Sequence, residues 1–541
     1  MRGRRIPSHL LSALVYLAAV GSVLLFVAYP LLRMVAQVFA GGLSLADCGE
    51  VLSSQLGVIG GSVGVAALAA CASTVLALAI ALVIAFGNRM LGRLMVGVAT
   101  MSIISPPFVA SLAYIMLFGR RGLITHGILG LDVSPYGWQG VVVMQVLFFS
   151  AINVLMLASV LRRLDGRLLD AARDLGASAG RVLMDVVLPL LAPTMLSCAL
   201  LTFVRSLSDY GTPVVIGGSF EMISSEIYLQ VVGYSDLGTS ALLNLLLMVI
   251  AIIVFMGYGR LGARSERLVV SAGAPSAGEG RPVRLDGPLG VLAYALALLF
   301  LAFMAVLYAT IVRTAFSSGI GWTAQPSLVN LEYLASFNLA TLLRSLAYAG
   351  LAAALATLLA MVIAYFVHRR KVVGGGVLEF LVTLPYLIPG TCFGLGYLLA
   401  FNSLPLKLTG TAAIVVLVLV FKRLAISEQT FSQSMAQISP ELDMAARDLG
   451  ASRLGVFADV IVPNLSSATL VSLVNVFSSS MVAYGAVLFL VSAGHKIAVF
   501  ELFDALSGGK YGTAAMMSVA ILAVTLAVNA TFALSVGTKR N

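Results

Sequence analysis

Charge is scarce in this chain. Lys, Arg, Asp and Glu make up 10% of its 541 residues, against about 25% in a soluble domain, so water is the wrong solvent for most of it. Cysteine is scarcer still. Cys71, Cys198 and Cys392 fall inside long apolar stretches and Cys48 stands alone, which leaves no disulfide or metal framework to expect. The four histidines, His9, His126, His368 and His495, are scattered, each expected at an interface or in a loop. No H-E-x-x-H or G-x-S-x-G motif accompanies them, which argues against a membrane enzyme. Nor is there a G-x-x-x-x-G-K-[ST] phosphate loop. Gly508-Gly509-Lys510-Tyr511 lacks both the spacing and the hydroxyl that Mg²⁺ requires, so the chain has no means of its own to hydrolyse ATP.

What fills the sequence is apolar: 60% of residues are hydrophobic. A bilayer core about 30 Å thick takes roughly 20 apolar residues per helix, and twelve such stretches can be counted. They run near 10–38, 56–86, 91–118, 138–161, 190–215, 237–258, 288–312, 342–367, 377–401, 411–431, 465–491 and 513–534. The expected fold is therefore an all-α polytopic membrane protein of about twelve transmembrane helices. A β-barrel would show short alternating segments instead. Arg2, Arg4 and Arg5 precede a first stretch too long for a signal peptide and without an obvious cleavage site, so it reads as a retained helix. With the N-terminus in the cytoplasm, 22 of the 33 Lys and Arg fall on the inner side. The positive-inside rule thus explains the net charge of +10 better than nucleic acid does, and both termini are expected to face inward.

Sliding the chain along itself reveals a duplication. Ala171 to Ser178 reads AARDLGAS, and Ala445 to Ser452 repeats it at an offset of 274. The match continues through Asp185/Asp459, Val186/Val460 and Pro189/Pro463, then Ser206/Ser480, Tyr210/Tyr484 and Gly211/Gly485. Upstream, Pro107 aligns with Pro389 and Ser62 with Ser345 at offsets of 282 and 283. Two six-helix halves in parallel orientation follow, 1–260 and 288–541, joined by a cytoplasmic linker over 261–287 rich in Arg, Gly, Ser and Pro.

The repeated motif lies between the fourth and fifth spans of each half. Asp165 and Ser439 are placed to cap a short helix, with Pro440 at its first position in the second copy. Gly176 and Gly450 suit a left-handed turn. The chain should then restart near Ser178 or Ser452 and reach the membrane at Pro189 or Pro463. The product is a knuckle with a small Ala pair on one face, which can dock into a groove on another protein.

This pattern resembles the EAA loop of binding-protein-dependent ABC importer permeases, and the resemblance covers both halves. It implies the type I importer permease fold, with loops 164–190 and 438–464 acting as coupling helices. The residues carrying that role are Asp170, Ala171, Ala172, Gly176, Ala177 and Pro189 in the first copy, and Met444, Ala445, Ala446, Gly450, Ala451 and Pro463 in the second. The family's usual Glu is Asp170 in one copy and Met444 in the other, with Asp443 or Glu441 as substitutes. Two loops imply two ATPase subunits per chain, with ATP and Mg²⁺ held on those partners and no cofactor on this one. A substrate-binding protein and a bacterial inner membrane complete the expected setting.

Ionisable groups at membrane depth are candidates for the translocation path. Arg205 and Asp209, four residues apart, can pair on one helix face, either as a self-neutralising pair or as a substrate contact. Ser206 with Ser480 and Tyr210 with Tyr484 put hydroxyls at pseudo-symmetric positions, lining a path or bonding in packing. Lys422 and Arg423 align with Phe148 and Phe149. They either face a cavity for an anionic ligand or neutralise Glu428 and snorkel at a helix break, the second reading being preferred. Pro106, Pro107, Pro385 and Pro389 should kink equivalent helices. Outer acidic residues Asp132, Glu221, Glu226, Glu501 and Asp504 meet a cation, contact a binding protein, or are simply solvated.

Within the family, the stretch Leu384 to Thr391 and Leu408-Thr409-Gly410-Thr411 resemble iron(III)-type importers, with carriers of 2-aminoethylphosphonate, thiamine and polyamines in the same group. An ion-coupled secondary transporter is the alternative from another class, but it leaves the matched loops unexplained.

Overall fold

In lipid, backbone N–H and C=O groups can be satisfied only within their own helix or a closed barrel, and the chain is helical almost throughout. The computed structural model describes residues 8–40, 44–131, 134–271, 285, 287–319, 324–452 and 455–537. Arg2, Arg4, Arg5, Asp132, Arg281, Arg284, Arg453, Lys539 and Arg540 lie outside the described residues, as do both chain ends assigned above to the cytoplasm.

The first half contains α1 (Ser8–Val23), running through a π-helical turn into α2 (Tyr29–Ala40), then α3 (Leu56–Phe86), α4 (Arg89–Ile104), α5 (Phe108–Phe118), α6 (Trp138–Leu161), α7 (Gly166–Asp174), α8 (Leu188–Leu207) and α9 (Leu237–Ser271). The second contains α10 (Gly287–Ala315), α11 (Leu339–Ala364), α12 (Gly375–Leu387), α13 (Gly390–Phe401), α14 (Ala412–Ala436), α15 (Pro440–Asp448), α16 (Ser466–Met481) and α17 (Tyr511–Gly537).

Among the described residues, nine helical stretches are long and apolar enough to cross a bilayer, or eleven if each of two bent pairs counts as one span. The pairs are α12 with α13, bent by 111°, and Val456–Asn464 with α16, bent by 67°. The twelfth expected segment is α14, a 25-residue helix whose Lys422, Arg423 and Glu428 make it less apolar than the rest. Ser105 to Pro107 separates α4 from α5 in the first half, where Ile388 and Pro389 separate α12 from α13 in the second, with Pro385 in the last turn of α12.

Small residues let these helices approach closely. In α3, Ala66, Ala69, Ala70 and Ala77 are buried, as are Ala349, Ala352, Ala353 and Ala360 of α11, 283 positions on. Polar contacts then tie three helices in each half. Asn153 of α6 donates to Ser73 of α3 (3.4 Å) and Thr202 of α8 (2.8 Å). In the second half Ser472 of α16 bonds to Thr357 of α11 and Ser427 of α14, both at 2.8 Å. Each such bond inside a membrane protein contributes about 1 kcal/mol.

The halves are not side by side. Their first spans are exchanged: α1 and α2 pack on α11, α12 and α13, whereas α10 packs on α3 and α5 as well as α17. Tyr397 donates to the Phe26 carbonyl at 2.7 Å, and Tyr308 meets Ser105 at 2.7 Å. Helix α9 continues to Ser271, so the start of the expected linker is helical. The breakers concentrate after it, at Gly273, Pro275, Gly278, Gly280 and Pro282. Residues 272–284 and 286 of that linker lie outside the described residues.

Candidate functional site

The two repeated loops adopt the same turn. Asp165 accepts from the Arg167 amide (3.0 Å) and Ser439 from the Glu441 amide (3.2 Å), capping α7 and α15 as their sequences require. Both helices end in a Schellman motif. Gly176 N–H bonds to Arg173 O (2.8 Å) and Ala177 N–H to Ala172 O (3.1 Å), matched by Gly450 to Arg447 (2.9 Å) and Ala451 to Ala446 (3.0 Å). Gly176 and Gly450 sit at φ of +85° and +87°, where a side chain is strained. Ser178 then caps the next helix through the Arg181 amide at 3.4 Å and Ser452 through the Gly455 amide at 3.1 Å. Each restart passes through a π-helical turn, Val182–Val187 or Val456–Ile461, before Pro189 or Pro463.

The face this turn presents is apolar. Leu175 and Leu449, just before the glycines, are each 90% exposed. Ala171 and Ala445 are exposed beside them, while Ala172 and Ala446 are half-buried. The leucines were inside the repeated octapeptide, but a pattern reading treats a Leu as core. Only the turn geometry shows them pointing away from everything else.

The loops differ in how they are anchored. In the first, Leu169 is buried at 5% exposure. In the second the equivalent residue is Asp443, which accepts two bonds from Arg369, at 2.9 Å each. The same guanidinium donates to the carbonyls of Ile438 (2.7 Å) and Ser439 (2.9 Å). Asp443 therefore does not stand in for the missing acid at Met444. It faces Arg369, and Met444 is exposed. Asp170 pairs with Arg173 at 3.3 Å, one turn along its own helix.

The membrane-depth residues resolve into separate roles. Arg205 and Asp209 do not pair, because α8 ends at Leu207 and the helical i, i+4 geometry is lost. Asp209 accepts from Gln145 (3.0 Å) and the Thr212 amide (3.2 Å), while the Arg205 guanidinium lies 4.8 Å over the Phe149 ring. Ser206 donates to Gln145 at 2.6 Å. Its counterpart Ser480 is buried without a hydrogen-bond partner, since the repeat places Leu419 where the first half has Gln145.

Lys422 donates to the carbonyls of Pro385 and Ile388, the latter at 2.7 Å. Those groups lie at the break between α12 and α13, so the ammonium is held on backbone carbonyls inside the protein. Glu428 is not its partner, since that carboxylate meets His368 at 2.9 Å. Arg423 donates to Ser479 O at 3.2 Å, and it lies close enough to Arg205 for their charges to interact.

Tyr210 and Tyr484 meet across the pseudo-symmetry, their rings 5.7 Å apart and within 9° of parallel. Phe108 packs edge-on to Tyr484 at 4.6 Å, and Phe503 contacts all three at 5.0 to 5.9 Å. All four rings are buried, and both tyrosine hydroxyls lack a hydrogen-bond partner. Gly211 permits this closure, because a Cβ there would lie 2.7 Å from Phe108. Among the outer acids, Glu226 is buried and accepts from Gln230 (2.6 Å) and Gln55 (3.5 Å), and Asp504 pairs with Lys496, so neither is simply solvated. The proximity of Asp504 raises the Lys496 pKa.

A family profile described as "binding-protein-dependent transport system inner membrane component" matches this chain twice, over residues 73–267 and 356–537. The chain is similar to the ferric transport system permease protein FbpB of Actinobacillus pleuropneumoniae, 29% identical over 538 residues, covering 95% of this chain and 77% of that protein. A putative ferric transport system permease of Haemophilus influenzae is 29% identical over 87% of this chain and 77% of its own length. The molybdenum transport system permease ModB of Mycobacterium tuberculosis is 33% identical over 35% of this chain and 75% of its own length.

Proposed function

Because the chain belongs to the family of binding-protein-dependent transport system inner membrane components, we infer that it is the fused permease of an ATP-driven importer, carrying both halves of the membrane path for iron(III). The observation that carries the reading is the pair of identical Schellman turns, each offering an exposed leucine on a capped helix. Residues 1–260 and 288–541 form the two permease halves, with coupling loops 164–190 and 438–464 facing the cytoplasm along with both termini. Each loop docks one ATPase subunit, giving two per chain, and those subunits hold the ATP and Mg²⁺. The named relatives over nearly the whole chain support iron(III) as cargo delivered by a substrate-binding protein.

In this reading the aromatic cluster of Phe108, Tyr210, Tyr484 and Phe503 closes the path on the side away from the loops. Arg205 and Arg423 flank it below. ATP binding draws the ATPases together, moves both loops, and parts the tyrosines to admit cargo. The differing contacts of the two states supply the coupling energy.

Two measurements test this. Purified with its ATPase, the wild-type chain should hold two copies. The double substitution Gly176→Pro and Gly450→Pro should hold none while the permease stays folded, because proline cannot take a positive φ. Cells expressing the complete system should accumulate radiolabelled iron(III) in an ATP-dependent way. ATPase binding without iron accumulation would leave the importer and remove the cargo; full ATPase binding by the double variant would remove the coupling loops.

A further inference from the structure

His368 sits among carboxylates. Its Nε2 lies 2.9 Å from Glu428 Oε1 and 3.9 Å from Glu379 Oε1. One donor atom from each of the three residues falls within 4.8 Å of the others. The residues come from the turn after α11, from the start of α12 and from the middle of α14, at the end of the second half that carries the repeated loop. The Glu428 side chain is 2% exposed, His368 29% and Glu379 46%, so the cluster has a buried floor and an open mouth.

Two features point to an ion rather than to a helix pin. A hydrogen bond between His368 and Glu428 would suffice to pin α14. The Glu379 carboxylate adds a like charge beside Glu428, which costs free energy unless a cation, an imidazolium or a bound metal ion, lies between them. The duplication then supplies a control within the molecule. At the offset of 283 that pairs Ser62 with Ser345, His368 and Glu379 correspond to Ala85 and Val96, and at the offset of 274 Glu428 corresponds to Val154. The fold is built at all three positions with apolar side chains in one half, and Val154, like Glu428, is buried. Three ligand-type residues have thus replaced three apolar ones at a single spot, where one buried carboxylate alone would be costly.

We propose that His368, Glu379 and Glu428 form a binding site for a divalent first-row metal ion on the inner face of the second half, separate from the cargo path. One imidazole and two carboxylates suit Fe²⁺, Mn²⁺ or Zn²⁺, and the two carboxylates balance the charge of the ion. Ligand atoms about 2.1 Å from a metal stand about 3 to 4 Å apart, which small rotamer shifts of Glu379 would achieve here. The neighbouring cations are already engaged: Arg369 with Asp443, and Arg370 with Ser12 at 3.4 Å and the Phe366 ring. The site therefore lies one residue from the clamp on α15. An ion there would tie together the spans from which the second loop hangs.

The test is Mn²⁺ binding to the tag-free, full-length permease, purified with its ATPase without nucleotide, read by electron paramagnetic resonance. The wild type should take up one Mn²⁺ per chain saturably, and Glu379→Gln, at a half-exposed position, should weaken binding by about tenfold or more. The triple change His368→Ala, Glu379→Val and Glu428→Val, which copies the first half, should fold and lose the site. No saturable Mn²⁺ in the wild type, or equal affinity in Glu379→Gln, would reduce the cluster to a helix pin and overturn the proposal.

Discussion

Leu169 and Asp443 occupy the same position in the repeat, 274 residues apart, and hold the same capped helix in place by opposite means. In the first half the anchor is an apolar side chain pressed into the membrane domain. In the second it is a bidentate ion pair to Arg369, whose counterpart at the offset of 283 is Phe86. The same contrast recurs deeper in the bundle. Phe148 of α6 corresponds to Lys422 of α14, which satisfies carbonyls at a sharp break, and Val154 corresponds to Glu428. At these positions the first half uses apolar packing where the second uses polar contacts, and the reverse holds at Gln145, which bonds Ser206 and Asp209 where the second half has Leu419. In the proposed function the two loop surfaces meet identical partners and so stay the same; the way each is supported is free to vary, because any contact that fixes the helix end will serve.

The sharpest way to break the comparison is to disable one turn at a time. Gly176→Pro and Gly450→Pro, made singly, should each leave one ATPase per chain and cut transport at least tenfold, as measured by subunit stoichiometry and vesicle uptake. Unequal losses would show that the anchor, and not only the turn, governs docking. The next effect is at the helix break. Lys422→Met should leave the carbonyls of Pro385 and Ile388 unsatisfied at a cost of roughly 3 kcal/mol, lowering the unfolding temperature in detergent, whereas Phe148→Met should cost about 1 kcal/mol.

A swap of anchors comes third. Asp443→Leu alone should destabilise by about 2 kcal/mol, since it strips Arg369 of its carboxylate. Adding Arg369→Phe, and so copying the first half, should recover part of that loss in the same melting assay, the remainder being the donor lost to the Ile438 and Ser439 carbonyls. The smallest effect is ionic. Raising salt from about 0.1 M to about 1 M screens the partly exposed pair, so amide exchange over 440–448 should rise a few-fold and by more than over 166–174, where salt reaches only the Asp170–Arg173 pair within one helix and the Leu169 anchor is untouched. Equal responses would mean that the ion pair contributes nothing to loop order.

Much of this was legible in the residues. The long apolar runs, the repeated AARDLGAS and the glycines at its turn are local signals, and the structure places a cap at Asp165 and Ser439 and a left-handed residue at Gly176 and Gly450. Arg205 with Asp209 was misleading for a local reason, since a spacing of four implies contact only while the helix lasts, and α8 stops between them. Glu379 and Glu428 lie eleven and sixty residues after His368 along the chain. No pattern of spacing could have joined them.

By itself the sequence determined the solvent, the helices, the duplication and the form of the two turns, because hydrophobic run length, proline, glycine and capping chemistry act over a few residues. Only the tertiary structure decided that the first spans are exchanged between halves, that Tyr210 stacks on Tyr484, and that Lys422 serves a helix break. It also gathered a histidine and two glutamates at one end of the second half. Those outcomes depend on which surfaces meet across hundreds of residues, and in a uniformly apolar chain that choice rests on shape and on a few buried polar groups, neither of which a linear pattern records.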